Sequence, residues 1–372
     1  MSDAYAASGV DTDQSDAGVG GLVSVLRTID TGRPSRNALE SGHYASVLRV
    51  TPDLGIAVAT DGVGSKLIVA EETGRLDTVG IDAIAMNVND LVCVGAEPIA
   101  LLDYLAVQEP DEARLTAIAR GLKAGAEDAG IEIPGGELAV LPELLRGHPD
   151  PGGFDLCGTA IGTVALDRLV TGAGIRPGDA LIGVPSSGIH SNGYTLARKA
   201  LQVDGGLALG DRPGDLGGAS VADALLEPTV IYVRATLDLL AAGLPVLGLS
   251  HITGGGLLNL LRLCPTKAGA IAPARDAHAD RAGDPVAIGF AIEDPLPLPA
   301  INGLIQHLGG VSDAEMWEVF NQGCGLVAVV PAEHADEAAA VLAARHAGAR
   351  RIGTVTDRAG ACTAPGGVLL QG

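Results

Sequence analysis

Four loops in this sequence carry residue types that hold phosphate and metal. TDGVGSK (60–66) joins an acid, two glycines and a lysine. Glycine lets backbone N–H groups approach an anion, Asp61 offers a cation ligand, and Lys66 brings charge. The loop lacks the GxxxxGK[ST] spacing of a Walker loop, and a plain hairpin turn is the ordinary account of it taken alone. GGE (135–137) is weaker and reads by itself as a bulge. PSSGIHSNG (185–193) places Ser187, His190, Ser191 and Asn192 between a strand and a helix N-terminus, where free N–H groups and the helix dipole favour phosphate and a histidine can move protons. Capping by Ser and Asn explains one or two of these residues, not all. HITGGG (251–256) sets His251, Thr253 and the glycines Gly254, Gly255 and Gly256 ahead of an apolar helix. Glycine at this density costs backbone entropy, so close approach of a ligand is the preferred reading.

The stretch that must position these loops is GIDAIAMNVNDLVCVGAEPIALLD (80–103). It reads as an amphipathic helix, a turn and a buried strand. At helical spacing Ile81, Ile84, Ala85, Val88, Leu91 and Val92 share one side, and Asp82, Met86, Asn89 and Asp90 share the other. The strand over 99–102 is apolar on both sides, as for a strand covered on both faces, which puts the Asn89–Asp90 pair in a cleft. Carboxylate and amide oxygens there suit a hard divalent cation that carries nucleotide phosphates. A surface helix with a wet polar face is the ordinary alternative.

Composition limits the partners. The chain has 372 residues, enough for two domains, with aromatics at only 2% and a net charge of -21. Few aromatics disfavour base-stacking platforms, and the charge repels nucleic acid and anionic membranes. A phosphorylated ligand therefore needs local devices: helix N-termini, glycine backbone, a few cations and metal. The five cysteines (93, 157, 264, 324, 362) form no CxxC pair and no even framework, which excludes a disulfide scaffold and a zinc site. The first basic residue is Arg27 and no apolar run reaches membrane-spanning length, so a soluble, cytoplasmic protein is expected.

Along the chain, residues 1–40 form an acidic arm with a short helix over 18–26, and a disordered tail fits the composition equally well. Domain one covers 41–170. It holds a strand at 56–60, a helix opened by Pro110 and closed by Gly130 with Leu115, Ile118, Ala119, Leu122 and Ala126 inward, and a strand at 157–164. A turn at Arg176–Asp179 opens domain two, 175–372. There a strand precedes the 185–193 loop, a helix spans 194–201, residues 203–219 form a surface excursion, and the close is a strand, an Ala-rich helix through Arg345 and a strand near 351–355. Strands that deliver glycine-rich loops onto helices give an α/β (α+β) fold class.

Taken in order, TDGVGSK, the 80–103 stretch with the following Tyr104, GGE, PSSGIHSNGYTLARK, SHITGGG and FNQGCG resemble the phosphoribosylformylglycinamidine cyclo-ligase (AIR synthetase) family, from about residue 5 to residue 355. The resemblance implies a two-domain AIR-synthetase-like fold whose N-terminal domain pairs with a second subunit in an interfacial β-barrel, hence a homodimer. It implies cyclisation of formylglycinamidine ribonucleotide to aminoimidazole ribonucleotide in purine synthesis, driven by ATP with Mg²⁺. It also implies Asp61 and Asp90 as metal ligands assisted by Asn89 and Glu137, Lys66 on ATP phosphates, and Gly62 and Gly64 lining that site. Ser187, His190, Ser191 and Asn192 sit around the substrate or transferred phosphate, with His190 the candidate for proton transfer. His251, Thr253 and residues 254–256 close the site.

Departures from the family pattern include Tyr5-Ala6-Ala7-Ser8-Gly9-Val10 in the arm, Ser41-Gly42-His43-Tyr44-Ala45 in place of GGFG, and Leu138 and Val140 after GGE. They leave room for a related substrate. The alternatives are another ATP-dependent enzyme of the superfamily, such as a thiamine-monophosphate kinase, a selenophosphate synthetase, a hydrogenase-maturation dehydratase or an amidotransferase synthetase, and a non-catalytic nucleotide-binding dimer. The absence of a cysteine before Cys93 and of a Cys-bearing tail argues against two of these.

Overall fold

The computed structural model describes residues 12–39, 42–264 and 286–370, so the altered arm at 5–10 and Ser41 lie outside the described residues. Helix α1 (Thr12–Leu26) begins earlier than expected. The first domain is a five-stranded sheet, ordered β1 (Ser46–Arg49), β2 (Leu54–Gly62), β5 (Phe154–Ala165), β3 (Glu97–Val107) and β4 (Glu132–Val140). All pairs are antiparallel except β3 with β4. Side chains alternate, so Ala57, Ala59, Leu101, Leu156 and Ala160 face inward and are buried.

Three helices serve this domain: α2 (Lys66–Thr73), α3 (Val79–Cys93) and α4 (Glu112–Ala129). α4 runs between the expected signals, with Asp111 accepting a capping bond from the backbone N–H of Arg114 at 2.8 Å and Gly130 left-handed at its end. Its inward face is rotated from the expected one. Ala119 is exposed, and Gly121 and Gly125 are buried instead. The reason is close helix crossing: a β-carbon on Gly80 would overlap the backbone at Gly121 and Leu122, and one on Gly125 would lie 3.0 Å from Ile84. Small residues let α3 sink between α4 and the sheet. From Ala83 to Asn89 every residue of α3 is buried, so the helix has no wet face.

The open face of the sheet corrects the expectation for β3. Helices cover one side only, and Leu54, Leu102 and Tyr104 on the other are 39–42% exposed.

The second domain is a seven-stranded sheet: β12 (Val368–Leu370), β11 (Cys362–Ala364), β8 (Gly289–Ile292), β10 (Arg350–Thr356), β6 (Ala180–Pro185), β9 (Cys324–Val330) and β7 (Gly248–His251). Strand β9, one in from the β7 edge, is buried at every position, which accounts for its unbroken apolar run. Its flanking helices are α5 (Tyr194–Arg198), α6 (Val221–Leu226), α7 (Val233–Ala241), α8 (Ala300–Gly309), α9 (Asp313–Val319) and α10 (Ala335–Ala343). The expected helix over 194–201 is α5 followed by a wider turn through Asp204, and the apolar segment after HITGGG is a 3-10 helix over Gly256–Leu263. One apolar cluster runs from Ala57 and Ile84 in the first domain through Ile189 and Leu196 to Ile305 and Phe320 in the second.

Candidate active site

The site forms where the end of β2, the last turn of α3 and two loops of the second domain meet. TDGVGSK is no hairpin; it turns β2 into α2. Gly64 is left-handed there (φ 72°) with open space around it. Asp61 projects to the helix-facing side of the sheet, its Oδ1 accepting from the Gly62 N–H at 2.7 Å, and Asn87 Nδ2 holds its backbone carbonyl at 3.1 Å. Burial raises the carboxyl above its ordinary value, the Gly62 bond opposes this, and Asp90 raises it further. The two acids therefore feel one another.

Asp90 sits in the last turn of α3, where the helix dipole disfavours a negative charge and no basic residue shares the turn. His251, at the end of β7, supplies the compensation from the other domain: its Nδ1 lies 2.8 Å from Asp90 Oδ1, and the imidazole is fully enclosed. Behind it Tyr44 hydrogen-bonds Ser250 Oγ at 2.5 Å and the Asn259 carbonyl at 3.0 Å, with the Arg262 guanidinium 4.9 Å over its ring. The segment that replaces GGFG thus builds a domain contact.

The 185–193 loop is tied down at both ends. Ser187 Oγ donates to the Pro228 carbonyl at 2.6 Å, Ser191 Oγ lies 3.1 Å from Thr229 Oγ1, and Asn321 Nδ2 donates to the Gly188 carbonyl at 2.8 Å. His190 takes a left-handed φ of 58°. That turn brings its Nε2 back to accept from the Ser187 N–H at 3.3 Å, which leaves the proton on Nδ1. Burial, then His251 and Lys66, push this imidazole well below its ordinary pKa, so it is neutral. Among the described residues, His190 Nδ1 and Asn192 Nδ2 are buried donors without a protein partner. A β-carbon on Gly254 would lie 3.4 Å from Asn192 Oδ1, so the two second-domain loops adjoin.

Several expected roles change. Lys66 is fully buried, its Nζ bonded to Asp82 at 2.9 Å, the Glu227 carbonyl at 2.7 Å and the His190 carbonyl at 3.2 Å, so it has no proton left for a phosphate. Asn89 is not a free metal ligand either: its Oδ1 accepts from the Tyr232 N–H at 2.8 Å and its Nδ2 donates to the Val230 carbonyl at 2.9 Å. Glu137 stands three strands from Gly62 in one row of the sheet, through Cys157 and Tyr104, roughly 14 Å away at ordinary strand spacing. Gly136 beside it is required because a β-carbon would overlap the Asp103 carboxylate.

The triple glycine also divides. On Gly256 a β-carbon would overlap the Trp317 carbonyl, and Gly255 is needed for its φ of 96°. Only Gly254 remains for ligand approach. Thr253 is half-buried, its carbonyl accepting the turn bond from the Gly256 N–H at 3.0 Å. His190 is a neutral ring that carries its proton on Nδ1. Sequence reasoning assigned no role to Tyr44, Arg262, Thr229 or Asn321. Asn321 lies in FNQGCG, so it alone of the four was within reach.

Among the described residues no three His, Cys, Asp or Glu side chains converge on one metal position. Asp61 and Asp90, mutually repelling and half-compensated, still fit a cation that takes one or two carboxylates and completes its shell with phosphate oxygens and water, as Mg²⁺ does.

Residues 42–164 match the AIR synthase related protein N-terminal domain and residues 176–362 the corresponding C-terminal domain. A phosphoribosylformylglycinamidine cyclo-ligase of Thermococcus kodakarensis is 46% identical over 359 residues, 96% of each chain. This chain belongs to the phosphoribosylformylglycinamidine cyclo-ligase family. Its relatives of the same name from Pyrococcus furiosus and Methanothermobacter thermautotrophicus are each 44% identical, covering 96% and 95% of this chain and 96% and 94% of theirs. The fold is shared more widely. Hydrogenase maturation protein HypE in complex with ATP has a TM-score of 0.58 at 21% identity, over 88% of this chain and 87% of that one. AaThiL complexed with AMPPCP and TMP has 0.60 at 16%, over 93% and 92%.

Proposed function

We propose that this chain is a ligase that forms a C–N bond, closing formylglycinamidine ribonucleotide to 5-aminoimidazole ribonucleotide with release of ADP and phosphate, in purine biosynthesis. The observation that carries the reading is the meeting of Asp61 and Asp90 with His251, His190 and Asn192 across the domain boundary. ATP is the phosphoryl donor. Asp61 and Asp90 would hold Mg²⁺, which would supply charge neutralisation on the ATP phosphates.

The protein's own part is orientation and electrostatics. His251 fixes the rotamer of Asp90 and offsets its clash with the helix dipole. Gly64 and Gly254 leave backbone exposed without a side chain in the way. His190, neutral, offers Nδ1–H, and Asn192 offers Nδ2–H, as two donors toward an oxygen that gathers charge as it leaves as phosphate. Glu137 joins this centre through a ligand of nucleotide length.

The active species is a homodimer. The open sheet face, with Leu54, Leu102 and Tyr104 each at least 39% exposed, supports closure against a second copy. The described residues include no helix long and apolar enough to cross a membrane. Cys93, Cys157, Cys324 and Cys362 carry free thiols, which supports work in the reducing cytosol.

The test is direct. Purified protein with ATP, Mg²⁺ and formylglycinamidine ribonucleotide should yield ADP and the aminoimidazole ribonucleotide in equal amounts. ATP binding without either product would reject the reading in favour of a non-catalytic nucleotide-binding protein.

A further inference from the structure

Lys66 and Asp82 form an ion pair with no exposure on either side chain. An ammonium has three protons, and here all are used: one on Asp82 of α3, one on the Glu227 carbonyl and one on the His190 carbonyl. The last two belong to the second domain. Asp82 is engaged through one oxygen: its Oδ1 also accepts from the Thr229 backbone N–H at 2.8 Å and from Thr229 Oγ1 at 2.6 Å, while Oδ2 meets only the Lys66 charge at 2.9 Å. Thr229 Oγ1 in turn meets Ser191 Oγ, so the pair reaches the 185–193 loop at two neighbouring residues.

What it holds is a strained turn. A non-glycine residue with positive φ persists only where its surroundings over-determine it, and His190 is such a residue. Its carbonyl is gripped from two sides, by Lys66 Nζ and by Tyr194 Oη at 3.0 Å. The ring is bounded by Gly325, where a β-carbon would lie 2.7 Å from His190 Cε1. A buried ion pair is a poor source of stability compared with apolar residues of the same volume, but it fixes one register sharply.

We propose that Lys66 and Asp82 are positioning residues: they clamp the left-handed turn at His190 to α3 across the domain boundary, and so set where His190 Nδ1 and Asn192 Nδ2 point. This rests on the reading of His190 as a site residue. It removes Lys66 from phosphate binding, although the lysine ends a glycine-rich loop.

The experiment uses Lys66→Met/Asp82→Asn in the full chain. Both charges go together, so no lone charge is buried, and the Asn oxygen still accepts from Thr229. The ATP Kd from calorimetry should stay within about twofold of wild type while kcat falls roughly 100-fold with the KM for ATP little changed, as for a misplaced group rather than a lost binding contact. The imidazole ¹⁵N spectrum of His190 in the ligand-free protein should lose its single neutral-tautomer pattern. If the double variant does not fold, Thr229→Val removes one donor to Asp82 and the Ser191 contact, and should move the same spectrum and kcat in the same direction. An ATP Kd raised about tenfold or more would overturn the proposal in favour of a phosphate-binding lysine. An unchanged His190 spectrum with unchanged kcat would overturn it in favour of a plain structural pair. The spectrum needs no turnover, so failure of the cyclisation assay in wild type leaves this test intact.

Discussion

Gly254 and Gly256 stand two residues apart in one loop, yet alanine should act on them in opposite ways. At Gly256 the backbone has φ +52°, and a β-carbon would overlap the Trp317 carbonyl and lie 2.9 Å from the Phe320 carbonyl. The left-handed conformation alone costs an alanine about 1 kcal/mol. Forcing a methyl against fixed backbone adds roughly 1–3 kcal/mol. The total, about 2–4 kcal/mol, is a large part of a folding free energy on the order of 5–15 kcal/mol. With a urea slope of about 3 kcal/mol per M, the unfolding midpoint of Gly256→Ala should drop by roughly 1 M. At Gly254 the φ is ordinary and the nearest atom, Asn192 Oδ1, is 3.4 Å away, so stability should hold within about 0.5 kcal/mol. Its methyl instead enters the space beside Asn192, and the KM for the ribonucleotide should rise with the fold intact. Urea titration of both variants, with steady-state kinetics on Gly254→Ala, reads this out. Gly256→Ala as stable as wild type, or Gly254→Ala equally destabilised, would refute the division of the loop into a packing glycine and a ligand-facing one.

Three further outcomes are expected. Because burial holds the His190 pKa below 6.5 in the folded chain, its contribution to stability is complete above that pH and is lost as pH falls through the folded value; His346 acts in the same sense. The unfolding free energy, followed by the thermal midpoint, should therefore decline from about pH 7.5 to about pH 5.5, by at most about 1.4 kcal/mol per unit for each group, and His190→Gln should flatten the slope. A slope untouched by that variant would count against a buried neutral imidazole. Asp90→Asn keeps an acceptor for His251 and should unfold within about 1 kcal/mol of wild type while losing Mg²⁺-dependent turnover; calorimetric Mg²⁺·ATP titration checks it, and wild-type affinity would reject the metal assignment. Leu102→Asp/Tyr104→Lys places charges on the open sheet face and should yield monomers in sedimentation, with an unchanged dimer excluding that face as the interface.

How much of this was readable beforehand differs by element. Glycine and proline signals bracket α4 correctly because caps are local, and the apolar run of β9 marks a strand, which the fold then covers on both sides. Periodicity also grouped Asp82 with Asp90, and both face the second domain. What it could not convey is which partner each meets. Lys66 looks like a phosphate ligand until the Glu227 and His190 carbonyls, 161 and 124 residues away, are seen to surround it. Asn89 is consumed by the backbone at 230 and 232 for the same reason. The inward face of α4 was misjudged at Ala119 because close crossing selects Gly121 and Gly125, residues that a hydrophobic count ignores. Strand β3 is apolar on both sides, yet only one side is covered within the chain.

The apolar cluster that passes from Ala57 and Ile84 through Ile189 and Leu196 to Ile305 and Phe320 has a consequence for how this enzyme can move. Two lobes that own separate interiors can hinge apart to admit substrate; two that share an interior cannot part without wetting it. Substrate entry must then be a matter of loop tips such as Gly64 and Gly254, and either half made alone should be a sticky, incompletely folded chain.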